Sequence, residues 1–473
     1  MENVVIQLSK YVIIILFTIY TFYCFTMFQN GNKDRQKRIC KYQSILMYLI
    51  HMICHLLLLL DLKEQRILIL YGLEVVFLVV SGFIYKFVYK NMSQLIFNNM
   101  QMFLVISFVM LLRLEYALAE KQFMMAAIGM AACLLVPFVI DKFKYFDKLG
   151  WFYEMLGMLC LLLVFIPGIG ITKYGASNWI QIGGFSLQPS EFVKILFVFF
   201  IAALLSYKET FKDIVIITIG AAVYVLILVA ERDLGAALLY FTTYLVVLYV
   251  ATAQPLYMIA GISAGTAAAA IASRFFSHVQ IRVSAWQNPF KDIDTGGYQL
   301  ANSLFAIGTG GWFGMGLGKG LPTSIPLSES DFIFPAISEE LGGIFAVCLI
   351  LVYVSCYIMF VNIAMKMKRR FYKLTAVGLS TMFICQVLLN IGGVTRFIPS
   401  TGVTLPLISY GGSSVLSTLV LFSIIQGMYV LNQSDRKKSE VSRSVEAKNE
   451  KRQQAKGRVS REGKRKLPKE AKK

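Results

Sequence analysis

Leu327-Ser-Glu-Ser-Asp331-Phe-Ile-Phe-Pro335-Ala-Ile-Ser338 closes a polar, glycine-rich stretch and opens a new apolar run. Asp331 therefore stands at the mouth of a membrane helix. A carboxylate is costly at a bilayer centre and much less so at its edge. An acid at this boundary is available for chemistry on a lipid-linked substrate. Aspartate is also a favoured N-cap, and Asp331 precedes an apolar run. Residue chemistry alone leaves both roles open, general base or cap.

Working outward, the 473 residues are 57% hydrophobic and only 15% charged, with a mean hydropathy of +0.64. Soluble domains carry about 25% charged residues. Thirteen apolar segments begin near Tyr11, Tyr42, Ile67, Leu95, Phe123, Trp151, Pro189, Ile214, Leu234, Leu256, Asp331, Leu374 and Leu405. Many approach the roughly 20 residues that span a bilayer as a helix. The chain is expected to be an all-α polytopic membrane protein. The first apolar run, Tyr11 to Phe28, lacks a small-residue cleavage pattern and reads as a helix that is kept. The eight cysteines show no CxxC spacing and read as small buried side chains.

The formal charge of +19 suggests nucleic acid, but its placement argues otherwise. Roughly half lies after Ser434, in Arg436-Lys-Lys, Lys451-Arg, Lys464-Arg-Lys and Lys472-Lys. This tail, 434–473, has no aromatics and is expected to be disordered, cytoplasmic and drawn to anionic lipid. Lysine and arginine clusters at 33–38, Lys86/Lys90, Lys142/Lys144/Lys148, Lys208/Lys212 and 366–370 fall on alternate connections. With thirteen spans they share the tail's side, which places the C-terminus in the cytoplasm and the N-terminus outside.

The other side carries 170–184, the loop 276–330 and 395–402, rich in Gly, Pro, Trp and hydroxyl residues. A loop of fifty-odd residues in a compact bundle is usually functional. Its glycines, 308 to 320, allow close backbone approach to a ligand. They do not form a GxxxxGK[ST] nucleotide loop. Arg282 and Lys319 are candidates to neutralise a diphosphate. Trp286, Tyr298 and Trp312 can stack on sugars or form an interfacial belt. Gln299, beside Tyr298, joins them as a substrate-binding candidate.

Glu191 and Lys194 are three apart and share a helix face, so they pair with each other or reach substrate. The same two readings apply to Glu231-Arg-Asp233. Glu339 and Glu340, two turns beyond Asp331, read as structural. His51 and His55 have metal-compatible spacing, but no neighbouring third ligand shows in the sequence, and they also read as structural. No internal repeat of the kind found in inverted-repeat transporters is evident.

Taken in order, several segments resemble the FtsW/RodA/SpoVE family of shape, elongation, division and sporulation proteins. They are Asn178-Trp-Ile-Gln-Ile-Gly-Gly with Gln188-Pro-Ser-Glu, Asp233-Leu-Gly-Ala-Ala-Leu, and Gly297-Tyr-Gln-Leu-Ala-Asn-Ser with Ala306-Ile-Gly-Thr-Gly-Gly. Then come Asp331-Phe-Ile-Phe with Glu339-Glu-Leu-Gly, and Asn390-Ile-Gly-Gly-Val-Thr-Arg-Phe-Ile-Pro-Ser-Thr-Gly-Val-Thr-Leu-Pro-Leu-Ile-Ser-Tyr-Gly-Gly-Ser-Ser414. The resemblance covers about Leu95 to Val430. It implies a ten-helix core at 91–433, with about three extra helices at 1–90. It implies a glycosyltransferase that polymerises lipid II on the outer face of the cytoplasmic membrane, beside a class B penicillin-binding protein. The family's essential aspartate falls on Asp331, which favours catalysis over capping.

The chain departs from the family's Pro-Glu-x-His-Thr-Asp pattern. Leu327 and Glu329 stand where that pattern has Glu and His, and Arg396 stands where relatives commonly carry glycine. The expected reaction is an inverting transfer. The undecaprenyl-linked glycan is donor, and the GlcNAc 4-hydroxyl of an incoming lipid II, deprotonated by Asp331, is acceptor. A divalent cation at the diphosphate is compatible with this chemistry, but no ligand cluster for it shows in the sequence. A lipid II flippase or a transpeptidase-recruiting scaffold are the rival readings.

Overall fold

The computed structural model describes residues 2–29, 31–173, 176–182, 185–207 and 210–465. Lys208, residues 174–175 and 183–184 of the first external motif, and the tail lysines from 466 onward lie outside the described residues. Three helices come first: α1 (Glu2–Gln29), α2 (Lys33–Leu62) and α3 (Arg66–Val88). The core follows with α4 (Gln94–Leu114), α5 (Tyr116–Cys133), α6 (Val136–Lys142), α7 (Gly150–Leu162), α8 (Pro189–Leu205), α9 (Phe211–Ala230), α10 (Leu234–Thr252) and α11 (Pro255–Phe275). Two shorter helices, α12 (Ser277–Gln287) and α13 (Tyr298–Gly310), fold the long loop. Next come α14 (Ile333–Lys366), α15 (Arg370–Val394) and α16 (Gly412–Arg465). An antiparallel sheet of β1 (Gly170–Lys173), β2 (Ala176–Ile182) and β3 (Phe185–Leu187) joins α7 to α8.

Each of the thirteen apolar runs finds a helix, with α5 and α6 counted as one span. Among the described residues eleven helices are long and apolar enough to cross a membrane, and the protein is a multi-pass membrane protein. The two that are shorter are α7 and α8. The first unwinds into a 3₁₀ turn at Leu163–Phe165, and the second has only 17 residues. At 1.5 Å per residue, α8 measures roughly 26 Å. Most of its side chains, from Val193 to Leu205, are buried within the bundle.

Local chemistry sets the boundaries. Asn32 caps α2 through its Oδ1, which accepts from the backbone N–H of Asp34 (2.9 Å) and Arg35 (3.4 Å). Asp233 caps α10 by accepting from the Ala236 N–H at 3.0 Å. The centre of the molecule is α4, whose side chains from Leu95 to Leu112 are all buried. Its buried Asn98, Asn99, Gln101 and Ser107 are satisfied by hydrogen bonds to neighbouring segments.

The N-terminal helices are part of this packing. Phe17 of α1 stacks on Phe345 of α14 with ring centroids 4.1 Å apart. The Tyr20 hydroxyl donates to Asn99 Oδ1 at 2.9 Å, and Asn99 Nδ2 donates to Ser355 Oγ at 3.1 Å. Polar groups inside a membrane bundle find one another in this way. All eight cysteines are free.

The helix α16 continues to Arg465 rather than ending at 434. The tail sequence is rich in Glu, Lys, Arg, Gln and Ala, all good helix formers, and extends a helix already nucleated.

Candidate active site

Asp331 lies in the turn before α14. Phe332 occupies the cap position and makes no side-chain cap bond. The capping role left open by the sequence is therefore not the one Asp331 performs. The turn is held from beneath. Asn390 Nδ2 on α15 donates to the Asp331 carbonyl (2.9 Å) and to that of Val403 (2.7 Å). The Ser409 hydroxyl donates to the Ser330 carbonyl at 2.6 Å, and the Tyr410 N–H donates to the Glu329 carbonyl at 2.7 Å. These bonds fix the backbone of Asp331, a half-buried residue, and none of them engages its carboxylate.

What it faces is Arg282 on α12. A Cβ built on Gly402 would lie 3.5 Å from both Asp331 Oδ2 and Arg282 Nη2. Gly402, at φ +73°, lies beside both the carboxylate and the guanidinium. Arg282 Nη1 also donates to the Ser400 carbonyl at 3.2 Å, which anchors the guanidinium. Burial pushes the Asp331 carboxyl up. Arg282 pulls it down, and the Asp233 and Glu329 carboxylates push it further up, to about 6.

Asp233 organises the adjoining wall. Its Oδ2 accepts from Asn178 Nδ2 (2.8 Å) and Gln188 Nε2 (2.9 Å), tying β2 and the start of α8 to the start of α10. At Gly235 a Cβ would meet the Thr401 carbonyl oxygen at 2.7 Å, so only glycine lets α10 abut the segment carrying Gly402. Glu231 beside it is fully buried, with neither carboxylate oxygen hydrogen-bonded. Burial, then the Asp233 charge, pushes Glu231 up to about 8, which holds it protonated at neutral pH.

The family model described as "Cell cycle protein", for FtsW, RodA and SpoVE, matches residues 92–433. This chain belongs to that family. A peptidoglycan glycosyltransferase RodA of Mycobacterium tuberculosis is 36% identical over 324 residues, covering 65% of this chain and 69% of the relative. Stage V sporulation protein E of Bacillus subtilis is 34% identical, covering 66% of this chain and 86% of the relative. Among solved structures, a chain of a peptidoglycan synthase complex coordinating polymerization and crosslinking has the same fold. It aligns with a TM-score of 0.61 at 24% identity, covering 73% of this chain and 98% of the other. Thermus thermophilus RodA gives a TM-score of 0.54 at 23% identity, covering 72% of this chain and 96% of the other. The FtsW/RodA/SpoVE core thus begins at α4, and α1 to α3 lie outside it.

Against this family frame the predicted site residues separate. Arg282 lies beside Gly402 with Asp331, near enough for its charge to act on the carboxyl. Trp286 is on the same α12, half-buried, and its carbonyl accepts from Arg396. Tyr298, exposed, and Gln299, half-buried, open α13. That helix is fastened to the end of α15 where the Ser303 hydroxyl donates to the Val394 carbonyl at 2.7 Å. Lys319 faces away from this group and pairs with Asp61 of α2 at 2.9 Å. Glu191 and Lys194 pair with each other at 2.6 Å, and Gln386 and Ser417 complete a buried network.

The glycine-rich loop has a different job from the one its composition suggests. It wraps the break in α14 at Gly342, where φ is +88°. Glu340 accepts from Arg113 Nε (2.9 Å) and the Gly318 N–H (3.1 Å), and Glu339 accepts from the Leu321 N–H (3.1 Å). A Cβ at Gly310 or Gly314 would fall 2.2 or 2.3 Å from backbone oxygens of α14. These two glycines allow loop and helix to touch, so their close approach is to protein rather than ligand.

Arg396 also becomes intelligible. It sits at φ +61°, which favours glycine. Its guanidinium donates to the Trp286 carbonyl (2.9 Å) and the Gln287 carbonyl (2.7 Å) at the end of α12. The arginine offsets backbone strain by capping the helix that carries Arg282. Asn390, Arg113 and Ser400 had no separate signal in the sequence beyond lying in or near motifs.

Proposed function

We propose that Asp331 is the general base of peptidoglycan glycosyl transfer, the activity that membership of this family brings. The acceptor is the GlcNAc 4-hydroxyl of an incoming lipid II. Asp331 takes its proton as the oxygen bonds to the anomeric carbon of the growing glycan. The bond from that carbon to the diphosphate oxygen breaks, and undecaprenyl diphosphate leaves with the electron pair. Arg282, with five donors in a planar fork, is placed to hold the departing diphosphate. Attack from the face opposite the leaving group inverts the configuration. A base so placed contributes on the order of 10² to 10⁴-fold.

The observation that carries this reading is that a half-buried aspartate outside the cap position and a guanidinium both come to within 3.5 Å of the Cβ position of Gly402. An apolar groove of about 410 Å³ supports it. The groove is lined by Leu238, Ile350, Leu388, Ile391 and Phe397 and runs along α15 to residues adjoining Asn390, the side chain that holds the Asp331 backbone. A polyprenyl tail fits such a groove, with its diphosphate at the polar end. Trp286, Tyr298 and Gln299 are the candidates to border the sugars. Among the described residues no three-ligand cluster for a cation surrounds Asp331, and no step here passes through one.

The site faces outward and α16 ends in the cytoplasm, the arrangement in which the basic clusters share one side. A class B penicillin-binding protein, crosslinking what this chain polymerises, is the expected partner. Anionic lipid is the expected neighbour of the tail. The flippase reading calls for a polar path through the core, whereas Glu191 and Lys194 lie within the first two turns of α8. Purified protein, with and without a class B partner, should convert fluorescent lipid II into glycan polymer. Failure with every such partner would return the flippase or scaffold readings.

A further inference from the structure

Three side chains that this reaction leaves unused meet inside the N-terminal helices. His51 and His55 are one turn apart on α2, and Glu74 comes from α3. Their side-chain exposures are 0%, 3% and 0%. His51 Nε2 lies 2.7 Å from Glu74 Oε2, and His55 Nε2 lies 3.0 Å from the same oxygen. The sequence offered the histidine pair without a third ligand, and the fold supplies it from the neighbouring helix.

Proton accounting makes the arrangement unusual. His55 Nδ1 is 3.0 Å from the His51 carbonyl oxygen. A carbonyl can only accept, so Nδ1 carries the proton, and Nε2 of a neutral ring is then a bare lone pair. That lone pair is aimed at a carboxylate oxygen. His55 Nε2, His51 Nδ1 and Glu74 Oε1 are all buried without a hydrogen-bond partner. No lysine or arginine pairs with Glu74 among the described residues. Two lone pairs face to face in a membrane interior need a positive charge between them.

We propose that His51, His55 and Glu74 form a zinc site that ties α2 to α3, with both Nε2 atoms and the Glu74 carboxylate as ligands. Imidazole and carboxylate suit zinc, which binds them at about 2.0–2.2 Å. In a tetrahedral site such ligand atoms stand roughly 3.3 Å apart, so the cluster needs to open only slightly. Histidines at i and i+4 offer both rings on one helix face. The His55 Nδ1–H bond to a carbonyl is the outer-shell contact that fixes a metal-bound imidazole. Water completes the fourth position. The consequence is a staple between α2 and α3. Asp61, six residues beyond His55, pairs with Lys319 of the loop that wraps Glu339 and Glu340. The staple therefore steadies the point where the N-terminal helices meet the core.

The test is metal content of the full-length protein, purified in detergent from zinc-supplemented cells and washed with a mild chelator. Wild type should hold about one zinc per chain, and His55→Gln and Glu74→Gln less than a tenth of that. Cobalt exchanged into wild type should give the visible bands of a four-coordinate ion, absent in His51→Gln. The apolar triple variant His51→Leu/His55→Leu/Glu74→Leu guards against misfolding, because apolar replacement of a buried charged triad is often tolerated. It should elute as one species, bind no zinc, and show a thermal midpoint that zinc does not move. Wild type without zinc or cobalt bands, and with a midpoint indifferent to zinc, would overturn the site in favour of a shared proton. Zinc retained by the histidine and glutamate variants would overturn it equally.

Discussion

Replacing Asp331 with Asn, which still caps, and with Ala, which does not, separates the two roles that sequence chemistry allows for this residue. The carboxyl is pushed from 3.8 up to about 6, first by burial. Two units at 1.36 kcal/mol each amount to about 3 kcal/mol against the ionised form. Residual exposure screens this, so about 1–2 kcal/mol is the usable figure. The sign follows from linkage. The folded state binds this proton more tightly than the unfolded chain, so the destabilisation is fully present above pH 6 and gone below about pH 4. Asp331→Asn should therefore raise the thermal midpoint in detergent at pH 7.5, and the gain over wild type should shrink as pH falls from 6 to 4. The assay is paired melts at a fixed scan rate at both ends of that window. Asparagine caps a helix as well as aspartate does, so a cap role is read from Asp331→Ala: a midpoint at pH 7.5 below that of Asp331→Asn by the roughly 1 kcal/mol of a lost N-cap, or an Asp331→Asn variant that melts earlier than wild type, would refute the reasoning. A catalytic group retained against stability predicts the opposite sign.

Other expectations follow from the same geometry. The acid limb of the polymerisation pH profile should lie near 6, because Asp331 must be ionised to accept a proton. Glu329 raises Asp331, so Glu329→Gln should move that limb to lower pH. A limb that stays put would remove Asp331 or its neighbour from the titration. Arg282→Ala should cost at least about tenfold in polymerisation rate, and Arg282→Lys should recover only part of it, since a point charge cannot reproduce the fork. Equal activity of the lysine variant would point to charge alone. At Arg396, Ala keeps the positive φ and loses both carbonyl bonds, whereas Gly loses the bonds but relieves the strain. Arg396→Ala should thus be less stable than Arg396→Gly by about 1 kcal/mol, read from their melting midpoints.

The helical plan was legible because apolar run length is a property of sequence alone. Asp331 was legible as a site for the same reason, being an acid at the start of such a run. Its role was not, because cap and base share a position in sequence and differ only in what the side chain reaches. Phe332 at the cap position speaks against the cap, and the base is the proposal that remains. The glycine-rich loop misled because glycine signals close approach without saying to what, and Gly310 and Gly314 approach α14. Lys319 had no visible partner because Asp61 is 258 residues away. Glu74 could have been noticed as the one acid in the apolar run of α3, yet only packing brings it to His51 and His55. Arg396 stood out by type, but its reason is a backbone angle and two carbonyls on another helix.

The central claim is that Asp331 removes the proton from the acceptor hydroxyl. Its most direct test is the polymerisation rate of fluorescent lipid II by wild type and by Asp331→Asn, at pH 7.5, with equal protein shown to be folded by its melt. The account predicts a loss on the order of 10² to 10⁴-fold in a variant at least as stable as wild type. Polymerisation by a folded Asp331→Asn protein at near the wild-type rate would contradict it.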